Sequence, residues 1–290
     1  MFAIITEIFS IEIGSVLVKF LLLTLSFSLY LFAGVIKTPV LSVDHASSIA
    51  TIQVDRVDVG VSGFIVQRLS QRTSSILMSV EVIAFDSATK TATLKMLPFT
   101  SLTQNSLPSG NWSVEVGDIA ILAFGYSRAI LIAPTEDIYY KVTKSTSQVQ
   151  WLHPDIFTTF LSFNGHPTPL QEDFQQIADT AAIGLIFFYV NQHIFTVDAK
   201  SMKVINITKA PLKQENVQLP FYSRITEIDA NWFGEGSSEM EAYEPYYCSL
   251  LSQYNPADKD LHKICSLNIQ ETQKGESGWS ITNIYKSLFQ

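Results

Sequence analysis

The sequence predicts an α+β protein: a small β-barrel-like module first, then an α+β module with a mixed or antiparallel sheet. Three observations predict it. Apolar residues recur at every second position through much of residues 50–134, the spacing becomes helical after Pro134, and residues 183–190 form an almost purely apolar run. A period of two marks a strand with one buried face, whereas a period near 3.6 marks an amphipathic helix.

In the β module, residues 51–57 and 64–69 read as strands, and Gly60 and Gly63 between them suit a tight turn or bulge. Met78, Val80, Val82 and Ala84 alternate with Ser79, Glu81 and Ile83. Beyond the polar turn 86–90, Ala92, Leu94 and Met96 alternate with Thr91, Thr93 and Lys95, which makes a hairpin. Residues 114–116, a Gly117-Asp118 turn and residues 119–122 read as two more strands, and 129–133 adds another before Pro134 ends it. Six or so short strands without a helical pattern make a small barrel or a strongly curved sheet.

Helices dominate next. Thr135 is a good N-cap, and Glu136 and Asp137 suit the positive end of a helix running to about Lys144. Residues 149–152 read as a short strand. Pro154 opens a helix with Ile156, Phe157, Phe160 and Leu161 on one stripe, ending at Asn164-Gly165. Pro169 opens another, with Leu170, Phe174, Ile177 and Ala178 on one face. The run 183–190 is too short to cross a membrane and reads as a central strand buried on both faces. Asn191-Gln192 turns it into a strand at 193–197; 204–207 and 222–228 read as further strands. Residues 239–251 have helical tendency limited by Pro245, and 279–285 reads as a last strand.

The N-terminus reads as an export signal. After Lys19 the chain is apolar or weakly polar to Ala33, about two thirds of the length a spanning helix needs. Cleavage is expected after Ala33. Glu7 and Glu12 oppose the usual positive flank, so residues 1–17 are read as an extension upstream of a start at Val18; the competing reading is an uncleaved anchor over 4–33. The expected organisation is a signal peptide (1–33), a β-rich module (34–134), an α+β module (135–230) and a C-terminal extension (231–290). The expected location is the periplasm or the cell surface at the outer membrane.

Composition narrows function. Over 290 residues, 47% are apolar and 16% charged, and 19 basic residues stand against 27 acidic for a net charge of −8. Disorder is excluded, and nucleic-acid binding is disfavoured because the basic residues are scattered. Two cysteines exclude a disulfide-rich scaffold and a four-cysteine zinc site. In an exported chain Cys248 and Cys265 would close a loop of about 18 residues, worth on the order of 3 kcal/mol. Two free buried thiols are the alternative.

Catalytic patterns fail one after another. Gly125-Tyr126-Ser127-Arg128-Ala129 resembles a nucleophile elbow but lacks the final glycine and lies between strands. His153, His166 and His193 are too dispersed for a local metal motif, and no phosphate loop or dinucleotide fingerprint occurs. Asp55 and Asp58 beside Arg56 read as a surface ion-pair cluster. The expectation is a non-enzymatic protein with no cofactor and no metal.

Four ordered stretches carry a resemblance: Val59-Gly60-Val61-Ser62-Gly63-Phe64-Ile65-Val66; Leu131-Ile132-Ala133-Pro134-Thr135-Glu136-Asp137-Ile138-Tyr139; residues 155–164; and Phe221-Tyr222-Ser223-Arg224-Ile225-Thr226-Glu227-Ile228-Asp229. Together they resemble the N-terminal domain of plasminogen-binding proteins of epsilonproteobacteria. The resemblance implies an exported surface protein that captures host plasminogen through the lysine-binding sites of its kringle domains. Such sites hold an ammonium with carboxylates and cradle its methylenes on aromatic rings. In the family the first half resembles this chain and a long Lys/Glu-rich tail ends in lysine; this sequence stops at Leu288-Phe289-Gln290. The expected internal substitute is Lys259 between Asp258 and Asp260, with a solvated charged turn as the plain reading; Lys200, Lys203, Lys209 and Lys213 form a basic stretch with the same plain reading. The alternatives are an envelope structural or assembly factor that pairs with another envelope protein, without plasminogen binding, and, more distantly, an exported hydrolase.

Overall fold

A computed structural model describes residues 34–70, 72–99 and 112–266. The expected signal peptide and the strand expected at 279–285 lie outside the described residues.

Six strands close a barrel: β1 (Ile36–Asp44), β2 (Ile49–Gln53), β3 (Ser62–Arg68), β4 (Ser74–Asp86), β5 (Thr91–Pro98) and β6 (Ile119–Leu122). They run β1-β2-β5-β4-β3-β6, and β6 pairs back to β1, with every pairing antiparallel. Closure leaves no free sheet edge. Ala50, Ile52, Ile65, Val80, Val82, Leu94 and Leu122 fill the interior. The alternation read along β4 breaks after Val82, where a bulge shifts the register. The extra residue turns Ala84 outward and brings Phe85 against the core, because a one-residue insertion reverses the faces.

Residues 114–116 are not a strand. The Asp118 carboxylate accepts the Glu115 N–H at 2.8 Å, and Asp118 N–H donates to the Glu115 carbonyl, folding this stretch into a turn before β6. A second correction concerns β7 (Arg128–Ile132), expected among the barrel strands: it joins the other sheet, parallel to β8 (Gln150–Leu152) and β9 (Leu185–Val190).

That second sheet runs β11-β10-β9-β7-β8, with β10 (His193–Asp198) and β11 (Val204–Lys209) antiparallel, so it is mixed. Helix α1 (Glu136–Ser145) connects β7 to β8; α2 (Pro154–Asn164) and α3 (Gln171–Ala181) lead to β9. All six residues of β9 are buried, and the faces alternate. Phe188 meets Phe174 and Tyr247, whereas Phe187 meets Trp151. The β9–β10 turn is Asn191-Gln192 with both φ positive (49° and 58°), as a two-residue hairpin turn matching the strand twist requires.

Helix α4 (Tyr243–Tyr254) comes from the segment read as a C-terminal extension, yet Tyr243, Tyr247 and Leu251 sit in the second core. Pro245 is tolerated because first-turn N–H groups have no helical acceptor. Residues 222–228 form no strand. Ser223 and Arg224 turn to Asp155 of α2 and the Tyr222 hydroxyl to Glu136 of α1, and these contacts shape the candidate site.

Candidate functional site

Three of the four resemblance stretches meet at the carboxyl ends of the parallel strands β7 and β8. In open sheets with helical crossovers this end forms a crevice, because each strand there hands over to a helix N-terminus. Thr135 follows β7 and caps α1, its hydroxyl accepting the Ile138 N–H. His153 follows β8 and caps α2, with Nδ1 accepting the Asp155 N–H at 3.2 Å. Tyr139 packs edge-on against His153 and Tyr140 and at a tilt against Tyr222, with ring centroids 5.4 Å apart in each pair.

The charges here are already engaged. Asp155 accepts the Arg224 Nε–H at 2.6 Å and the Arg224 backbone N–H at 2.9 Å, and the Ser223 hydroxyl donates to it at 3.1 Å. Burial opposes ionisation of Asp155, but these hydrogen bonds outweigh it and hold the carboxyl below the usual range. The Tyr222 hydroxyl donates to Glu136 at 3.1 Å. Burial raises the pKa values of Tyr139 and Tyr222, so both are neutral hydrogen-bonding groups at ordinary pH. The cluster ties residues 222–224 to α1 and α2, and leaves the buried His153 Nε2 without a hydrogen-bond partner among the described residues.

Downstream, the chain continues along α2. Ser162 Oγ donates to Asp229 and accepts its N–H, and Asn231 reaches the C-terminus of α2, where its N–H meets the Gly165 carbonyl and its Nδ2 the Asn164 carbonyl. Gly165 ends α2 at φ 73°, and a Cβ there would lie 2.3 Å from the Asn231 side chain. After a tip at 232–235, the chain returns to the α2–α3 loop. Thr168 N–H donates to the Gly236 carbonyl and its hydroxyl to the Ser238 carbonyl. That loop is pinned by fully buried Asp173, which accepts from Asn164 Nδ2 and the Leu170 N–H and contacts His166 Nδ1 at 3.0 Å.

The first stretch does different work: it joins the barrel to the sheet. Buried Asp198, at the end of β10, accepts the Ser62 N–H (2.9 Å), the Ser62 hydroxyl (2.8 Å) and the Tyr126 hydroxyl (2.7 Å) on one oxygen. Its other oxygen accepts the Lys200 and Ser201 N–H groups. Ser201 Oγ donates to the Gly60 carbonyl at 2.6 Å. Gly60 has φ 95°, and the Lys203 side chain occupies the space a Cβ would need. Burial and the Asp198 charge raise the Tyr126 pKa, and burial also raises that of Glu81.

The site residues expected from sequence fall elsewhere. Asp258 Oδ1 accepts the N–H groups of Asp260 and Leu261, which makes it the cap of a helix over 259–266. Lys259 and Asp260 are exposed on that helix's first turn. Cys248 on α4 and Cys265 are joined by a disulfide, with Cα atoms 5.6 Å apart. Lys200 pairs with Asp179, and Lys203 Nζ donates to the Tyr254 carbonyl at 2.7 Å; Lys209 and Lys213 are exposed. Arg56 lies 3.9 Å from Asp58, while Asp55 pairs with Lys90. Ser127 sits in the turn between β6 and β7. Among the described residues no group of three or more His, Cys, Asp or Glu side chains could hold a metal.

Sequence reasoning missed the tip. Trp232 is 100% exposed and Phe233 86%; Phe163 of α2 is 89% exposed. Two adjacent aromatics before Gly234, in a stretch without alternation or helical spacing, were the available signal.

The comparisons agree with this geometry in extent. The sequence pattern of the family described as "Plasminogen-binding protein pgbA N-terminal" matches residues 35–251, from β1 into α4. Plasminogen-binding protein PgbA of Helicobacter pylori strain J99 is 25% identical over 216 residues, covering 73% of this chain and 46% of the relative. The protein of the same name from H. pylori strain 26695 matches to the same extent. The matched region thus spans less than half the length of these relatives. No solved structure matches the chain.

Proposed function

The chain belongs to the plasminogen-binding protein pgbA N-terminal family, and from that premise we propose that it is a non-enzymatic, exported envelope protein that engages host plasminogen. The observation carrying this reading is the match over 35–251, which takes in the barrel and all five strands of the second sheet. The names of the relatives describe binding proteins.

Lys259 is the proposed lysine ligand, although it lies just beyond the matched span. It is exposed beside Asp260, on a helix fixed by the Asp258 cap and by the disulfide at Cys265. A fixed helix presents the ammonium and a carboxylate together, at a lower ordering cost than a free chain. A periplasmic or outer-membrane location is part of the same proposal and is tested by cell fractionation.

Immobilised plasminogen should retain the purified chain, and 6-aminohexanoic acid should release it. Lys259→Ala should weaken retention. Absence of binding, or binding indifferent to the lysine analogue, would overturn the plasminogen reading and favour an envelope assembly role.

A further inference from the structure

Between Asn231 and Gly236 the chain leaves the body of the protein and carries two bare aromatic side chains, Trp232 and Phe233, at its tip. We propose that this tip is the docking site for a protein segment bearing several lysine or arginine side chains.

The tip is held at both ends. On one side Asn231 N–H bonds to the Gly165 carbonyl at 3.0 Å and Asn231 Nδ2 to the Asn164 carbonyl at 2.7 Å. On the other, Gly236 and Ser238 accept hydrogen bonds from Thr168 at 3.1 and 2.7 Å. Only residues 232–235 lie between these anchors, so the aromatics are presented by an ordered backbone. A partner that covers them has little loop entropy to offset. Phe163, also exposed, directly precedes Asn164 and Gly165, the residues that receive Asn231. Trp and Phe grouped on a pre-organised surface are the kind of side chains on which binding energy concentrates.

Charge selects the partner. Residues 225–258 contain seven carboxylates, Glu227, Asp229 and Glu235 being the ones that flank the tip, and no lysine or arginine. Residues 145–199, which supply α2 and α3, contain no lysine or arginine either. Of the cations between these stretches, Arg224 is bonded to Asp155, Lys200 to Asp179 of α3 and Lys203 to the Tyr254 carbonyl, while Lys209 ends β11 and Lys213 follows it rather than the tip. Such a surface repels acidic proteins and anionic bilayers and attracts cations. An ammonium or guanidinium over an indole face is favoured by the ring quadrupole, and its methylene stem covers apolar area at the same time. This surface receives cations, whereas the plasminogen reading has the chain supply a lysine, so the two stand or fall separately.

The test is a titration of the purified chain with octalysine, read by fluorescence anisotropy of a labelled peptide. The chain should bind, more weakly at high salt. Trp232→Ala with Phe233→Ala should weaken binding at least about tenfold, and Glu227→Gln with Glu235→Gln should weaken it as well. The unfolding midpoint of both variants should stay unchanged, because the replaced side chains face solvent. Octalysine binding that is absent, or unchanged in the aromatic variant, overturns the proposal. So does sedimentation with neutral phosphatidylcholine vesicles that the aromatic variant abolishes, if octalysine does not bind.

Discussion

The carboxylate of Asp198 accepts both the backbone N–H and the hydroxyl of Ser62, across 136 residues of sequence. It is a fully buried acid on one sheet holding the first residue of a strand in another. Replacing it by Asn halves the acceptor capacity and sets an amide N–H among donors. Asp198→Asn should cost roughly 2–4 kcal/mol, measured by urea denaturation. If the junction couples the two cores, the variant should also lose the coincidence of fluorescence and circular-dichroism transitions.

Gly60 should be equally intolerant. Its φ of 95° disfavours any side chain, and a Cβ would lie 2.3 Å from the Lys203 Cβ. Gly60→Ala is expected to destabilise by about 2–3 kcal/mol, while an alanine at Gly117, where a Cβ meets no atom within 4 Å, should incur the backbone strain alone. A comparison of the two midpoints separates contact from strain.

Asp155 gives a pH signature. Its folded-state pKa lies below the unfolded value, so its contribution is complete above the unfolded pKa of about 3.9 and is lost as pH falls through the folded one. Asp155→Asn should therefore cost about 1–2 kcal/mol at neutral pH, and the gap to wild type should narrow steadily in acid. Denaturation curves at several pH values check this; a gap that widened in acid would contradict it.

The disulfide closes a loop of sequence separation 17. Cys248→Ala with Cys265→Ala should lose about 3 kcal/mol in the chain-entropy picture. Hydrogen exchange should show the loss first in the helix over 259–266, which the bridge fastens to α4.

Much of the fold was legible in local pattern. The β4–β5 hairpin, the three helices α1 to α3 and the buried strand β9 each carry their own periodicity and stop signals. Elements were misread where a partner decides. Residues 128–132 are apolar enough for either sheet, and pairing with β9 settles the matter. Residues 222–228 have strand-like composition, but Asp155 takes the Arg224 N–H and Ser162 that of Asp229. The candidate surfaces were less legible still. Asp258, expected with Asp260 to flank Lys259, also caps a helix, and the exposure of Trp232 and Phe233 leaves no mark on sequence periodicity.

By itself the sequence determined the α+β class, the change from strands to helices near Pro134 and the family, because these follow from local periodicity and from ordered motifs. The tertiary structure decided which sheet each strand joins, that Ser62 and Tyr126 answer to Asp198, and which aromatics stay bare. Those outcomes depend on which groups far apart in the chain satisfy one another's hydrogen bonds and cover one another's apolar area, and no local window of residues records that.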